Sequence, residues 1–257
     1  MNRIFSAILV AFVVGIVVSP IVIFLAKKLK AKQNIYEYVD MHASKQGTPT
    51  MGGIGILIAL IIGSIPFFTQ NNRLACVTLL ITICFGILGF LDDILKIVHK
   101  QNLGLRAYQK IIGQTAIALI VTIFAYKNGF VGSEIMLPFS LKTITLGWWF
   151  IPFCLFVFLA TVNAVNLTDG LDGLAGGVSL SYLIGFVFVC YIVLTKLVPA
   201  MQTEMQLEQM NLLVIGGAGI GALLAYLLFN SFPALIFMGD TGSLALGGLI
   251  SCLAIFL

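Results

Sequence analysis

A chain of 257 residues that is 60% hydrophobic and only 9% charged has too few polar side chains to cover a soluble domain, where roughly 45–50% apolar and about 25% charged residues are usual. The formal net charge of +4 suits basic loops at a membrane surface and leaves no footprint for nucleic acid. Composition therefore excludes a separate soluble domain and points to an all-α polytopic integral membrane protein, one transmembrane domain over 1–257.

A spanning helix needs about 20 apolar residues, and eight runs qualify: 4–26, 51–68, 74–91, 109–126, 148–165, 173–195, 211–229 and 241–257. The first is no cleaved signal peptide, because its apolar core is long, it lacks an A-x-A site, and Lys27, Lys28, Lys30 and Lys32 follow directly. Loops after odd-numbered runs, with the adjoining helix ends, carry Lys27, Lys28, Lys30, Lys32, Lys45, Lys96, Lys100, Arg106 and Lys110. The opposite side has Arg3, Arg73, Lys127, Lys142 and Lys196. This bias puts the odd loops in the cytoplasm and the N-terminus outside. Five cysteines (Cys76, Cys84, Cys154, Cys190 and Cys252) lie inside apolar runs without CxxC spacing, so they read as small buried hydrophobes. His42 and His99 are too few for a zinc site.

Acidic residues follow the same asymmetry. Glu37, Asp40, Asp92, Asp93, Asp169, Asp172 and Asp240 all fall on the predicted cytoplasmic side, whereas Glu134, Glu204 and Glu208 read as solvated loop residues on the other. Ionisable groups at the end of a hydrophobic span are costly, so they mark a functional site by default. Five aspartates from three loops suggest a carboxylate-lined cavity at one membrane boundary.

Four stretches carry this chemistry. Ser44–Gly53, SKQGTPTMGG, exposes backbone amides before a helix with Lys45 adjacent, which suits a phosphate or a polar ligand edge. In Leu91–Lys96, LDDILK, the neighbouring carboxylates Asp92 and Asp93 repel unless a cation intervenes. Oxygen ligands without clustered histidine point to Mg²⁺ or Mn²⁺, and Lys96, Lys100, Arg106 and Lys110 could hold a phosphate. Asn163–Gly177, NAVNLTDGLDGLAGG, sets Asn163, Asn166, Asp169 and Asp172 at the end of an apolar run. A helix-connecting turn would explain one Asp and one Gly of this stretch, but not the whole set. Phe229–Gly248, FNSFPALIFMGDTGSLALGG, isolates Asp240 between apolar runs, either capping the last helix or ligating a metal. Gly217 and Gly221 upstream form a GxxxG, read as close helix packing. Together these parts suggest phosphoryl transfer at a membrane surface.

In this order, KQGTPTMGG, LDD followed by Lys96, NAVNLTDGLDGLA and FMGDTGSLALGG closely resemble the phospho-N-acetylmuramoyl-pentapeptide transferase branch of the polyprenyl-phosphate N-acetylhexosamine-1-phosphate transferases. The likeness runs over nearly the whole chain. It implies transfer of phospho-MurNAc-pentapeptide from its UDP carrier (UDP-MurNAc-pentapeptide) to undecaprenyl phosphate at the cytoplasmic face of the bacterial plasma membrane, giving lipid I and UMP with Mg²⁺. By motif, Asp92, Asp93 and Asp240 resemble the acidic centre. Asp240, with Asp93 and Asn166, would hold Mg²⁺, and Asp92 would be a base toward the lipid phosphate. Asn166 and Asp169 match polar positions beside the metal. Lys45, Leu171, Asp172, Asn230 and Phe237 match a uridine pocket, with Phe237 stacking on uracil, and Lys96 and Lys110 would hold phosphates. The resemblance also suggests a homodimer. It implies about ten spans of membrane length and a later loop rich in histidine, so a chain ending at Leu257 with eight runs is expected to be truncated at its C-terminus. Three rivals stand beside this reading: a UDP-GlcNAc-dependent GlcNAc-1-phosphate transferase, an ion-coupled transporter, and an inactive fragment. A transporter would place carboxylates near the bilayer midplane, whereas these lie at helix ends.

Overall fold

The computed structural model describes residues 1–29, 48–99, 104–136, 142–192, 194–195 and 203–256. Eight helices follow in order: α1 (Asn2–Lys28), α2 (Gly53–Ser64), α3 (Arg73–His99), α4 (Ala107–Lys127), α5 (Phe150–Thr168), α6 (Leu174–Ile192), α7 (Thr203–Asn230) and α8 (Gly239–Phe256). A short antiparallel hairpin, β1 (Glu134–Met136) with β2 (Thr143–Thr145), interrupts the helices between α4 and α5. Beside it Trp148 and Trp149 stack at 4.3 Å and stay largely exposed, as aromatic anchors at a membrane interface do.

Among the described residues seven helices, not eight, are long and apolar enough to cross a membrane. The exception is α2, which the apolar run 51–68 had suggested as a full span. It covers 12 residues and ends in a turn of 3-10 helix at Ile65–Phe67, so Gly53–Phe67 reaches roughly 22 Å of a hydrocarbon core about 30 Å thick. Two local causes trim it. Met51 has φ 76°, which stops the helix from starting earlier, and Pro66 has no N–H to donate to the carbonyl one turn back, so the α-helical ladder of hydrogen bonds ends there.

The helices nevertheless alternate in direction. At one end, Phe237 N–H donates to the Pro49 carbonyl and Gly52 N–H to the Phe237 carbonyl, both at 2.8 Å, and Gly173 N–H donates to Asn230 at 2.9 Å. At the other, the 69–74 turn meets the start of α7. With Leu105 N–H on Asp92 and Asp240 N–H on Asp93, the described residues of the loops after odd-numbered helices therefore share one end. The bundle is built around α7 and α8, the two most enclosed helices. Helix α7 lies against α1 along the GxxxG face, as the sequence suggested: a Cβ at Gly221 would collide with the Ile8 carbonyl, and one at Gly217 would meet Ile4 Cγ2 at 2.9 Å. Small residues let membrane helices approach this closely.

Helix α7 also starts eight residues before its predicted apolar run, and this corrects the reading of Glu208. That residue is buried, not solvated. Its carboxylate oxygens accept the Arg73 and Leu74 N–H groups at 3.0 and 2.9 Å, so it caps α3, whose first amides otherwise lack partners. Asn211 one turn on accepts from Thr69 N–H and Oγ1 at 3.0 and 3.1 Å. Glu204 lies on α7 and Glu134 on β1.

Candidate active site

The site forms where α3 ends and α8 begins. Gly89 of α3 lies so close to α8 that a Cβ there would collide with the Asp240 carbonyl. This approach sets Asp93 over the first turn of α8. Its Oδ1 accepts Asp240 N–H at 3.1 Å, and its Oδ2 accepts Thr241 N–H at 2.9 Å and Thr241 Oγ1–H at 2.6 Å. The sequence left open whether Asp240 caps its own helix. Asp93 fills that role from α3, and the Asp240 side chain is left to face inward.

Asp240 is the hub. Its Oδ2 lies 3.0 Å from Lys96 Nζ and 2.8 Å from Lys110 Nζ, and its Oδ1 accepts Asn166 Nδ2 at 2.7 Å. Asn166 donates also to Ser243 Oγ at 2.8 Å and accepts from Lys110 at 3.2 Å, so it presents its amide nitrogen rather than its oxygen to Asp240. Asp92, one residue before Asp93 and turned away from it on the helix, is buried. It accepts Leu105 N–H at 2.8 Å and pairs with Lys96 at 2.6 Å. Oxygens of Asp92, Asp93 and Asp240 all lie within 4.8 Å of one another. Two ammonium groups cannot neutralise three carboxylates, and one negative charge is left over. Three close, hard oxygen donors, two buried and the third partly so, with surplus negative charge fit a divalent cation of the Mg²⁺ or Mn²⁺ type.

Beside the hub the NLTDG stretch turns from α5 into α6. Asp169 lies beside the backbone of Gly239, and burial, followed by the nearby Asp240 and Asp93 carboxylates, pushes its carboxyl up to about 8. Asp172 accepts Ala234 N–H at 3.2 Å. Asn230 is buried with its amide committed to the backbone, accepting Gly173 N–H at 2.9 Å and donating to the Ile236 carbonyl at 2.8 Å. It thus ties the start of α6 to the loop that carries Phe237. Phe237 is half-buried, and among the described residues no other ring stacks on it. Leu171 is exposed. Of the predicted site residues, Asp92, Asp93, Lys96, Lys110, Asn166, Asp169 and Asp240 converge at the hub. Leu171, Asp172 and Phe237 belong to the flanking loops, Asn230 is the last residue of α7, and Lys45 lies outside the described residues.

Sequence reasoning missed two polar residues here. Gln114, fully buried on α4, pairs with Asn163. Tyr226 on α7 is buried beside Asp169 and Asp172, and its hydroxyl has no partner among the described residues. Gln114 carried a signal, a polar residue four positions after Lys110 in an apolar run, whereas Tyr226 carried none.

This geometry can be set against known proteins. The model of glycosyl transferase family 4 matches residues 74–257, and the phospho-N-acetylmuramoyl-pentapeptide-transferase signature 1 matches residues 45–57. A phospho-N-acetylmuramoyl-pentapeptide-transferase of Clostridium novyi (strain NT) is 43% identical over 258 residues, covering 100% of this chain and 75% of the relative. The chain belongs to this transferase family. A relative of the same name from Thermoanaerobacter sp. (strain X514) is 42% identical over 99% of this chain and 76% of its own length. Another, from Clostridioides difficile (strain 630), is 42% identical over 94% of this chain and 71% of its own. The family match includes every residue of the hub, and the signature match includes the Pro49–Gly53 segment that docks on Phe237.

Proposed function

We propose that this chain is a single transmembrane catalytic domain that transfers phospho-MurNAc-pentapeptide from UDP-MurNAc-pentapeptide to undecaprenyl phosphate, giving lipid I and UMP. The observation that carries the reading is the hub itself: in a chain 42–43% identical to transferases of that name, Asp240 is flanked by two lysines and two further carboxylates at one end of the bundle. In the reaction a lipid phosphate oxygen bonds to the sugar-bearing phosphorus as the bond from that phosphorus to UMP breaks. Phosphoryl transfer asks the protein mainly for positioning and electrostatic stabilisation. Lys96 and Lys110 would steady phosphate oxygens, and Asp92 would receive a proton from the lipid phosphate or, in a two-step path, attack phosphorus. Asp93 fixes the start of α8, while Asp169 and Asn166 wall the hub. Mg²⁺, when bound by Asp240 and Asp93 with Asn166 alongside, would screen the charge of the diphosphate. Asp172, Leu171, Asn230, Phe237 and Lys45 would bound the nucleoside, with Phe237 against the uracil face.

The site end faces the cytoplasm in this reading and the N-terminus lies outside, because basic residues favour the cytoplasmic side. An impermeant amine reagent applied to intact cells should then label Lys127, at the opposite end, and spare Lys27 and Lys28. Function is tested with purified chain in detergent, undecaprenyl phosphate and Mg²⁺, offering UDP-MurNAc-pentapeptide or UDP-GlcNAc and following UMP. Release with the muramoyl donor only, lost in Asp240→Ala, is expected. Release with the GlcNAc donor alone would move the chain to a sister activity, and silence with both would overturn the proposal for this chain. A homodimer, suggested by the resemblance, is tested by the mass of the detergent-solubilised particle.

A further inference from the structure

We propose that Gln114 and Asn163 form a positioning clamp that holds Lys110 at Asp240. Resting on the reading of Lys110 as a phosphate-steadying group, the inference concerns how a helix with few anchors keeps that lysine in place. Much of α4 is exposed: Tyr108, Ile111, Ile112, Leu119, Ile120 and Ile123 all face outward. Its buried face is a stripe of Gln114, Ala118, Val121, Thr122 and Ala125. Small, smooth side chains of this kind pack against a neighbour but resist sliding poorly, since neither register offers a unique fit. A buried polar pair does select register, because any slip leaves amides unpaired in an apolar setting.

The geometry is reciprocal. Asn163 Nδ2 donates to Gln114 Oε1 at 2.7 Å, and Gln114 Nε2 donates back to Asn163 Oδ1 at 3.3 Å. Asn163 Nδ2 also donates to the Leu159 carbonyl at 2.8 Å, which fixes the amide's orientation from within α5. Lys110 and Gln114 are four residues apart on α4, and Asn163 and Asn166 three apart on α5, so each pair shares a helix face. The clamp therefore stacks one turn from the Lys110–Asn166 contact of 3.2 Å and the Lys110–Asp240 contact of 2.8 Å. Among the described residues Gln114 hydrogen-bonds to Asn163 and not to Asp240 or the other hub residues, so its effect on Lys110 runs through α4. Asn163 and Gln114 are positioning residues.

The test uses the full chain in detergent with three variants: Gln114→Met, which keeps volume and loses the amide, Asn163→Leu, and the swap Gln114→Asn with Asn163→Gln, which conserves both amides and their summed length. The first readout is acylation of Lys110 by an amine-reactive ester, quantified by mass spectrometry against exposed Lys127 on the same helix. Each single variant should raise the Lys110:Lys127 ratio by about three- to tenfold, the factor that one or two interhelical polar contacts in a membrane represent, and the swap should return it toward wild type. An unchanged ratio in Gln114→Met overturns the clamp, as does a swap that stays loosened while its unfolding temperature matches wild type. If Asn163→Leu loosens the whole chain, raising Lys127 as well, Gln114→Met decides. The second readout is UMP release, where kcat should fall by a similar factor with the donor KM unchanged; a raised KM at constant kcat would overturn the role assigned to Lys110 positioning. A wild-type chain that releases no UMP would defeat the functional reading, while the labelling ratio would still decide the clamp.

Discussion

Replacing Asp93 by Asn tests whether that residue is a cap or a reactive group. The substitution is nearly isosteric but puts a donor where Asp93 now accepts three hydrogen bonds, from Asp240 N–H, Thr241 N–H and Thr241 Oγ1–H. With its remaining oxygen turned to either side, Asn leaves at least one buried donor of the first α8 turn facing an NH₂ group. A lost bond to a charged acceptor costs about 1.5–3 kcal/mol, and loss of a carboxylate at a helix N-terminus adds about 0.3–1 kcal/mol. The sum is roughly 2–4 kcal/mol, or a fall in unfolding temperature of roughly 4–16 °C for a chain of this size. Differential scanning fluorimetry in detergent, with the metal chelated, should show that fall for Asp93→Asn and a smaller one for Asp240→Asn. Asp240 bears no capping load, and although its substitution weakens the contacts to Lys96 and Lys110, it leaves two carboxylates to balance two ammonium groups and relieves repulsion among three carboxylates within 4.8 Å. Both variants should lose UMP release. If Asp93→Asn kept the wild-type unfolding temperature while abolishing release, the capping argument would be refuted and Asp93 would be acting directly on the cation or substrate.

Glu208→Gln, at the far end of the bundle, should lower stability by about 1–3 kcal/mol through an amide facing the Arg73 and Leu74 N–H groups, yet leave UMP release per folded molecule unchanged; a loss of release with no change in unfolding temperature would contradict the structural role. Gly89→Ala should cost about 1–3 kcal/mol by overpacking against the Asp240 carbonyl and abolish release, whereas Gly177→Ala, with nothing within 4 Å of the added methyl, should leave both intact. For Asp169, whose carboxyl is pushed from an ordinary 3.8 to about 8, the folded state holds the proton more tightly than the unfolded one. Stability of the metal-free chain should therefore fall as pH rises between those values. Asp169→Asn should flatten that part of the unfolding-temperature profile, and an undiminished slope in the variant would assign the effect elsewhere.

The apolar runs were readable because a membrane demands about 20 apolar residues per helix, and seven of the eight proved long enough. The eighth, 51–68, looks no different in composition. What shortens it is the left-handed backbone at Met51 and the effect of Pro66, the second visible in sequence but easily outweighed by the surrounding isoleucines. Glu208 was misread for another reason. In TEMQLEQM nothing local reveals that the 69–74 turn will cover it, and a carboxylate that caps a neighbouring helix has the same spelling as one in water.

At the hub, the identities of the residues were legible and their wiring was not. Asp92, Asp93 and Asp240 stood out because ionisable groups are costly at the end of a span wherever they point. Which of them caps α8 depends instead on how α3 is rotated, and that rotation is set by Gly89 meeting the Asp240 backbone, a contact 151 residues apart in sequence. Adjacent helical residues diverge by about 100°, so once Asp93 is committed to α8, Asp92 must turn toward Leu105 and Lys96. One close glycine contact thereby divides two identical neighbouring side chains into a cap and a group facing the lysines. Interchanging their roles would require rotating α3, which the same contact forbids.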